Sequence, residues 1–212
     1  MTGSSWPREV DTPLGPARVH RDEPDSDPCG TLVLGHGAGG GVGSADLTGL
    51  ALAAASAGWR TLRVEQPWRV AGRRVAPAPT RLDEGWTAVL TQLRADGDLA
   101  GSLVLGGRSA GARVACRTAA AQHAAGVLAL AFPLHPPGRP EKSRAAELRG
   151  VTVRLLVVQG ERDAFGRPPE VIAALGGDPG RVSAVPGDHA LATDVAAVIA
   201  ATLGWLGQFP PG

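Results

Sequence analysis

The chain has little cysteine and almost no net charge. Its 212 residues include two cysteines, Cys29 and Cys116. They have neither the spacing of zinc ligands nor the number that a disulfide framework needs. Lys and Arg together number 21 against 20 Asp and Glu, which gives a formal net charge of +1 at pH 7. Because no basic stripe stands out either, the sequence argues against a nucleic-acid partner.

Long apolar runs and targeting signals are also missing. No uninterrupted apolar segment reaches the length that crosses a membrane. The segment Met1–Arg8 lacks the charged and apolar regions of a signal peptide. We therefore expect a cytoplasmic protein without a membrane partner.

The composition fits one globular domain. Hydrophobic residues make up 43% of the chain and charged residues 19%, which is typical of a soluble domain with a sizeable core. We expect a single domain over residues 1–212, with residues 1–7 flexible and Cys116 a buried free thiol. The sequence leaves the oligomeric state open, with a homodimer as one candidate.

The hydrophobic pattern predicts an α/β fold. Residues 8–22 alternate around a proline-rich turn, which indicates an antiparallel β-hairpin. After it, continuous Val and Leu runs alternate with helical stretches, and such runs are typical of strands covered on both faces. We therefore predict a mainly parallel, doubly wound sheet. The predicted strands are Thr31–Leu34, Thr61–Val64, Leu103–Leu105, Val127–Phe132, Val153–Val158 and Val182–Val185. The predicted helices are Ala45–Ala57, Leu82–Ala95, Ala110–Gln122, Arg144–Arg149, Pro168–Leu175 and Ala190–Leu206.

Ser109 is the main candidate for a catalytic residue. It lies in the pentapeptide G-x-S-x-G, directly after a predicted buried strand and before a predicted helix. With 30 glycines in the chain, the pentapeptide alone is weak evidence. Its strand–turn–helix context is that of the nucleophile elbow of α/β-hydrolases, in which a strained turn exposes the serine.

Two further residues follow in the chain order of that class, which is nucleophile, acid, histidine. Asp163 and His189 each stand just past a β-type apolar run, where an open parallel sheet places its chemistry. We expect Ser109 as the nucleophile, His189 as the general base and Asp163 as the residue that orients the imidazole. The alternative is that Asp163 is a solvated turn residue and that His189 has a structural role.

A glycine-rich loop, residues 35–41, follows the strand Thr31–Leu34. In a hydrolase this loop supplies one oxyanion-hole donor, and the residue after the nucleophile supplies the other. The candidates are the backbone N–H of Ala38 or Gly39 and that of Ala110. We expect His36 to brace the loop, and it is also a candidate for the substrate pocket.

The same glycines fit the dinucleotide fingerprint G-x-G-x-x-G, with Glu65 as the ribose-binding carboxylate after the next strand. An NAD(P)-dependent oxidoreductase is therefore an alternative. Two observations argue against the oxidoreductase. The predicted helix starts several residues after the third glycine of the fingerprint, and a dinucleotide-binding protein would give no role to Ser109, Asp163 and His189. A P-loop is excluded, because no Lys-Ser or Lys-Thr follows the glycines.

Three more residues are candidates for the substrate pocket. Glu65 could contact substrate, although an ion pair with Arg108 or Arg113 is the expectation we favour. Arg108 precedes the nucleophile directly. His135, in a proline-rich turn after a central strand, either lines the pocket or packs structurally, and the rigid turn favours packing.

Five motifs resemble those of small bacterial α/β-hydrolases close to the dienelactone-hydrolase group. They are His36–Gly40 (HGAGG), Gly106–Arg113 (GGRSAGAR), Phe132–Pro140 (FPLHPPGRP), Gly160–Gly166 (GERDAFG) and Gly187–His189 (GDH). The resemblance covers about residues 30–206 and implies an α/β-hydrolase fold with a minimal lid or none. Ala110 and Ala112 replace the usual methionine and glycine. Dienelactone hydrolases carry a cysteine at the elbow, so the resemblance implies the family and not that substrate.

The residues and the resemblance together predict a serine hydrolase. We expect it to cleave a small carboxylic ester or thioester through an acyl-enzyme on Ser109. Its expected partner is a small-molecule acyl substrate, and the chemistry requires no metal and no organic cofactor. A hydrolase-fold module that binds a ligand without turnover is the second alternative.

Overall fold

Eight strands form one sheet in the computed structural model, which describes residues 6–210. The strands are β1 Arg8–Val10, β2 Ala17–Asp22, β3 Gly30–Gly35, β4 Trp59–Glu65, β5 Ser102–Arg108, β6 Gly126–Leu130, β7 Arg154–Gly160 and β8 Val182–Val185. The helices are α1 Ala45–Ser56, α2 Pro67–Val70, α3 Pro79–Ala95, α4 Ala110–Thr118, α5 Ala145–Arg149, α6 Pro168–Ala174 and α7 Val195–Leu206. Two short 3₁₀ helices span Pro140–Lys142 and Pro179–Arg181.

The strand order is β1-β2-β4-β3-β5-β6-β7-β8. β1 pairs antiparallel with β2, and β2 pairs antiparallel with β4; the other strands are parallel. The predicted hairpin and mainly parallel sheet are therefore confirmed. The direction of winding changes between β3 and β5, and in an open α/β sheet the crevice at such a switch point receives the ligand. The dinucleotide fold has the order 3-2-1-4-5-6 instead, so the alternative based on the glycines does not match the sheet.

Alternate residues of the central strands enter two apolar cores. Leu32 and Leu34 of β3 pack under α1 and α7, whereas Val33 between them packs under α3 and α4. Side chains of a strand alternate between its faces, and here both faces are covered. This is why the strands are continuously apolar in sequence.

The structure departs from the predicted elements at a few boundaries. The last helix begins at Val195, five residues later than predicted, because Leu191 has a positive φ of 53° and the Asp194 side chain caps the helix by accepting from Ala197 N. The short helix α2 was not predicted. Residues 1–5 of the stretch expected to be flexible lie outside the described residues, while Trp6 packs against the core.

The segment between β6 and β7 is short and lies beside the sheet. Its helix α5 packs on α4, where Glu147 pairs with Arg113 at 2.6 Å. Within residues 6–210, no helix has the length and apolar character needed to cross a membrane.

Candidate active site

Ser109 stands at a sharp turn between β5 and α4. Its backbone has φ 53° and ψ −107°, a strained conformation for a residue with a side chain. Glycine is required on both sides, because a Cβ on Gly107 or Gly111 would collide with the carbonyl oxygen of Gly35 on the neighbouring strand. The amide of Ser109 donates to Leu130 O at 2.9 Å. The turn is thus fixed by close backbone packing.

A chain of hydrogen bonds joins the three residues predicted as catalytic. His189 Nε2 lies 2.9 Å from Ser109 Oγ, and His189 Nδ1 lies 2.8 Å from Asp163 Oδ2. A carboxylate can only accept, so Nδ1 carries the proton and donates, and Nε2 is free to accept from the serine hydroxyl. The Asp163 side chain is fully buried, and that of His189 is 21% exposed. The structure therefore brings these residues together across three separate loops.

Two residues that the sequence analysis missed hold this chain in place. Gln159 is fully buried at the end of β7, and its Nε2 donates to Asp163 Oδ2 at 2.8 Å. Phe165 donates its amide to Asp163 Oδ1 at 2.8 Å, and its ring lies on the His189 imidazole with a centroid distance of 4.2 Å. The only available signal was a single polar residue, Gln159, at the end of an apolar run.

Ser109 and His189 open into a cleft of about 410 Å³, which we call the Ser109 cleft. This volume is in the range of small-molecule sites. The lining residues are Gly37, Ala38, Gly39, Gly40, Arg108, Ser109, Phe165 and His189. Two of the three candidate oxyanion donors, Ala38 and Gly39, thus lie in its wall. The third, Ala110, begins α4, where the first amides of a helix have no intrahelical partner.

His36 does not line the cleft, contrary to its place among the pocket candidates. It is 3% exposed and uses both ring nitrogens: Nδ1 donates to Gly37 O at 2.9 Å, and Nε2 accepts from Gln66 N at 3.1 Å. Burial lowers the pKa of His36 below 6.5. The neutral ring therefore braces the glycine-rich loop, as expected from the sequence.

Glu65 and His135 also lie outside the cleft wall. Glu65 pairs with Arg18 at 3.5 Å and not with Arg108 or Arg113, because the antiparallel strand β2 carries Arg18 directly opposite it. His135 is buried, with Nε2 3.2 Å from Glu170 Oε1. Both make structural contacts here, which is the role that the sequence analysis favoured for each, although the partner of Glu65 is Arg18.

Arg108 is the one charged side chain in the wall of the Ser109 cleft, among the described residues. Its Nε lies 3.5 Å from Asp46 Oδ2, and its Nη2 donates to the backbone carbonyl of His189 at 3.3 Å. Arg108 therefore contacts both the loop that carries His189 and the first turn of α1.

Cys116 is buried in α4, as expected, and burial raises the pKa of its thiol to about 12. It stays a protonated thiol at neutral pH and is not a competing nucleophile. In residues 6–210, no group of three or more His, Cys, Asp and Glu side chains is placed to hold a metal ion.

The fold and the site have the features of a hydrolase: a serine on a strained strand–helix turn, a histidine that can accept its proton, and a buried carboxylate behind that histidine. The chain belongs to the α/β hydrolase domain family, whose model matches residues 28–198. None of the curated proteins matches the sequence.

Solved structures of α/β hydrolases share the fold over nearly the whole chain. An α/β serine hydrolase homologue from Coxiella burnetii has a TM-score of 0.79 at 21% identity, over 97% of this chain and 98% of that chain. A serine hydrolase without a lid from Xanthomonas campestris has a TM-score of 0.77 at 21% identity, over 100% and 98%. Dienelactone hydrolase from Anabaena variabilis has a TM-score of 0.75 at 18% identity, over 98% of each chain. These similarities confirm the predicted α/β-hydrolase fold.

Proposed function

We propose that the protein is a serine hydrolase that cleaves small carboxylic esters or thioesters through an acyl-enzyme on Ser109. The observation that carries the proposal is the hydrogen-bond chain from Ser109 Oγ through His189 to Asp163, with distances of 2.9 and 2.8 Å. A serine is a weak nucleophile unless an adjacent base removes its proton, and this arrangement supplies that base.

In the acylation step, His189 Nε2 takes the Ser109 proton while Oγ attacks the substrate carbonyl carbon. The carbonyl π electrons move to oxygen and give a tetrahedral oxyanion. When it collapses, the bond to the alcohol or thiol breaks, and His189 returns the proton to that leaving group. Water then attacks the acyl-enzyme in the same manner, which releases the carboxylic acid and restores Ser109.

Asp163 keeps the imidazole in the productive tautomer and stabilises the imidazolium that forms when the serine proton moves. Its carboxylate is buried and receives N–H donors from Gln159, Phe165 and His189. A carboxylate so fully bonded has a fixed direction, and the same direction fixes the His189 ring. Phe165 covers one face of that ring and limits its rotation.

The developing oxyanion needs preorganised donors on the side of the cleft opposite His189. We assign these to the N–H of Ala110, the residue after the nucleophile, and to the N–H of Ala38 or Gly39 in the glycine-rich loop, which are the two donor positions of the α/β-hydrolase arrangement. A donor of this kind contributes about 10²–10³-fold to turnover. Glycines on the loop let its backbone approach the oxyanion without a clash.

The substrate is expected to be small and soluble. The wall of the cleft is largely glycine-rich backbone, and no residue of the segment between β6 and β7 lines it. Structural neighbours include the esterase domain of a Rhodothermus marinus protein and Est1E from Butyrivibrio proteoclasticus with bound ferulic acid, which supports an ester substrate. The five motifs further support a place near the dienelactone-hydrolase group.

The test is labelling of the purified protein with a fluorophosphonate probe, which reacts with an activated serine whatever the natural substrate is. Wild type should be labelled, and Ser109→Ala should not. Ser56→Ala is the matched control, because Ser56 is exposed on α1 and its hydroxyl donates to Leu52 O of its own helix; it should be labelled like wild type. A folded wild-type protein that resists the probe would contradict the proposal and favour a binding module without turnover.

A further inference from the structure

Arg108 occupies a position from which one side chain reaches three parts of the site. It is the last residue of β5 and lies on the same face of the sheet as Val104, the face that α1 and α7 cover. At the carboxyl end of this face, the first turn of α1 and the loop before α7 lie side by side. The guanidinium extends into the space between them.

Each edge of the guanidinium has its own neighbour. Nε faces Asp46 Oδ2 at 3.5 Å, and Nη2 donates to His189 O at 3.3 Å. Nη1 lies beside the glycine-rich loop, only 3.6 Å from where a Cβ of Gly40 would stand. A guanidinium presents its N–H groups in a rigid planar fork, so fixing one edge fixes the other two.

Asp46 is the group that fixes the first edge. Its side chain is 4% exposed, and neither its Oδ2 nor Arg108 Nε has a hydrogen-bond partner among the described residues, so the two atoms meet only as an ion pair at 3.5 Å. A buried carboxylate without its counter-ion is strongly unfavourable. The carboxylate therefore holds the guanidinium in place.

The loop that carries His189, residues 187–191, is tied to β5 by the contact with Arg108. Its other hydrogen bonds include those from Leu191 N to Asp188 O and from Ala190 N to Asp188 Oδ1. Among residues 6–210, the carbonyl of His189 receives no hydrogen bond other than that from Arg108. Its ring is held by Asp163 and Phe165, but its backbone lies in a turn between Gly187 and Leu191, both with positive φ. A shift of this backbone would change the distance from Nε2 to Ser109 Oγ.

We propose that Arg108, anchored by Asp46, is a positioning residue that sets the place of His189 and of the glycine-rich loop relative to Ser109. The inference rests on the proposed role of Ser109 as nucleophile. In this role Arg108 orients the catalytic groups and does not bind an anionic group of the substrate. Misplacement of about 1 Å in such a site lowers the rate by up to about 10²-fold.

Arg108→Lys and Asp46→Asn test the proposal, with hydrolysis of the neutral ester p-nitrophenyl butyrate as the reaction. Lysine keeps a cation near Asp46 but cannot span Asp46 and His189 O together. Both variants should lower kcat by about 10–100-fold and change KM little. Arg113→Lys is the control, because Arg113 forms a two-bond pair with Glu147 away from the cleft; it should keep the wild-type kcat.

The double variant Asp46→Asn/Arg108→Gln removes both charges. It therefore tests the loss of the guanidinium contacts without leaving a buried charge unpaired. It too should show the fall in kcat. A second readout is independent of turnover: the ¹H NMR signal of the His189 Nδ1 proton, which should be sharp in wild type and broadened in Arg108→Lys.

Wild-type kcat and an unchanged proton signal in these variants would overturn the inference while leaving the proposed function intact. A rise in KM confined to carboxylate-bearing esters would also overturn it, because that result marks a substrate contact. Conversely, a wild type that is not labelled by the fluorophosphonate refutes the proposed function, and the NMR signal still decides whether Arg108 positions His189.

Discussion

At the scale of single residues, His36 shows how burial determines a protonation state. Its two nitrogens are matched to one acceptor, Gly37 O, and one donor, Gln66 N–H. A second ring proton would point at the Gln66 amide. Desolvation acts in the same direction, so the pKa of His36 in the folded protein lies below the 6.5 of the unfolded chain.

This shift predicts a pH dependence of stability. As the pH falls below about 6.5, the unfolded chain binds a proton at this residue before the folded protein does, so the free energy of unfolding decreases. The contribution is complete above that pH. Urea denaturation at pH 7.5 and 5.0 measures the decrease in the free energy of unfolding between these two pH values. This decrease should be smaller for His36→Asn than for wild type. The exposed His123, replaced in the same way, serves as the control and should keep the wild-type loss; equal losses in all three proteins would contradict the prediction.

The sequence could identify the reacting residues but not their supports. Ser109, Asp163 and His189 stand in recognisable contexts at strand ends, and parallel strands bring their carboxyl ends to one edge. The ion pairs depend instead on which helix turns face each other in three dimensions. Arg108 therefore pairs with Asp46 and Glu65 with Arg18, and neither pairing has a local signal.

At the scale of elements, the turn between β5 and α4 requires the close approach of α4 to β3. A Cβ on Gly111 would overlap the backbone of Gly35, which belongs to a central strand and cannot move aside. Gly111→Ala should therefore lower the free energy of unfolding by about 1–3 kcal/mol or more, as overpacking of a core does.

Gly204 on α7 is the matched site for the same substitution. It is exposed, and nothing lies within 4 Å of an added Cβ. Gly204→Ala should raise the free energy of unfolding by about 0.5–1 kcal/mol, because alanine loses less backbone entropy in a helix. Urea denaturation of both variants measures the difference, and a neutral effect of Gly111→Ala would refute the packing argument.

Element types were predictable because both faces of the sheet are covered. Continuous apolar runs such as Leu103–Leu105 are typical of buried strands because they are short and bounded by glycine or polar residues, and the helices between them carry one apolar face. Boundaries were less predictable, since they depend on single hydrogen bonds. The start of α7 at Val195 is set by the Asp194 cap and the positive φ of Leu191, which the apolar pattern does not encode.

At the scale of the whole molecule, the switch in strand order between β3 and β5 places the glycine-rich loop and the serine turn on either side of one crevice. The third component, the His189 loop, comes from the far edge strand β8. The long span from that edge to Ser109 is bridged by Asp163 at the end of β7 and by Arg108 at the end of β5. The site is thus assembled from four loops on one rigid sheet edge.

The same architecture predicts the preferred acyl length. Each methylene contributes about 0.8 kcal/mol to binding only where it leaves water for an apolar surface. The Ser109 cleft, of about 410 Å³, has a glycine-rich wall to which none of the helices described over residues 6–210 contributes, so we expect a long acyl chain to remain in solvent. In a series of p-nitrophenyl esters, kcat/KM should be higher for butyrate than for dodecanoate, and it should not increase when the ester forms micelles. A kcat/KM that rises with every added methylene would show a buried acyl channel and contradict this prediction.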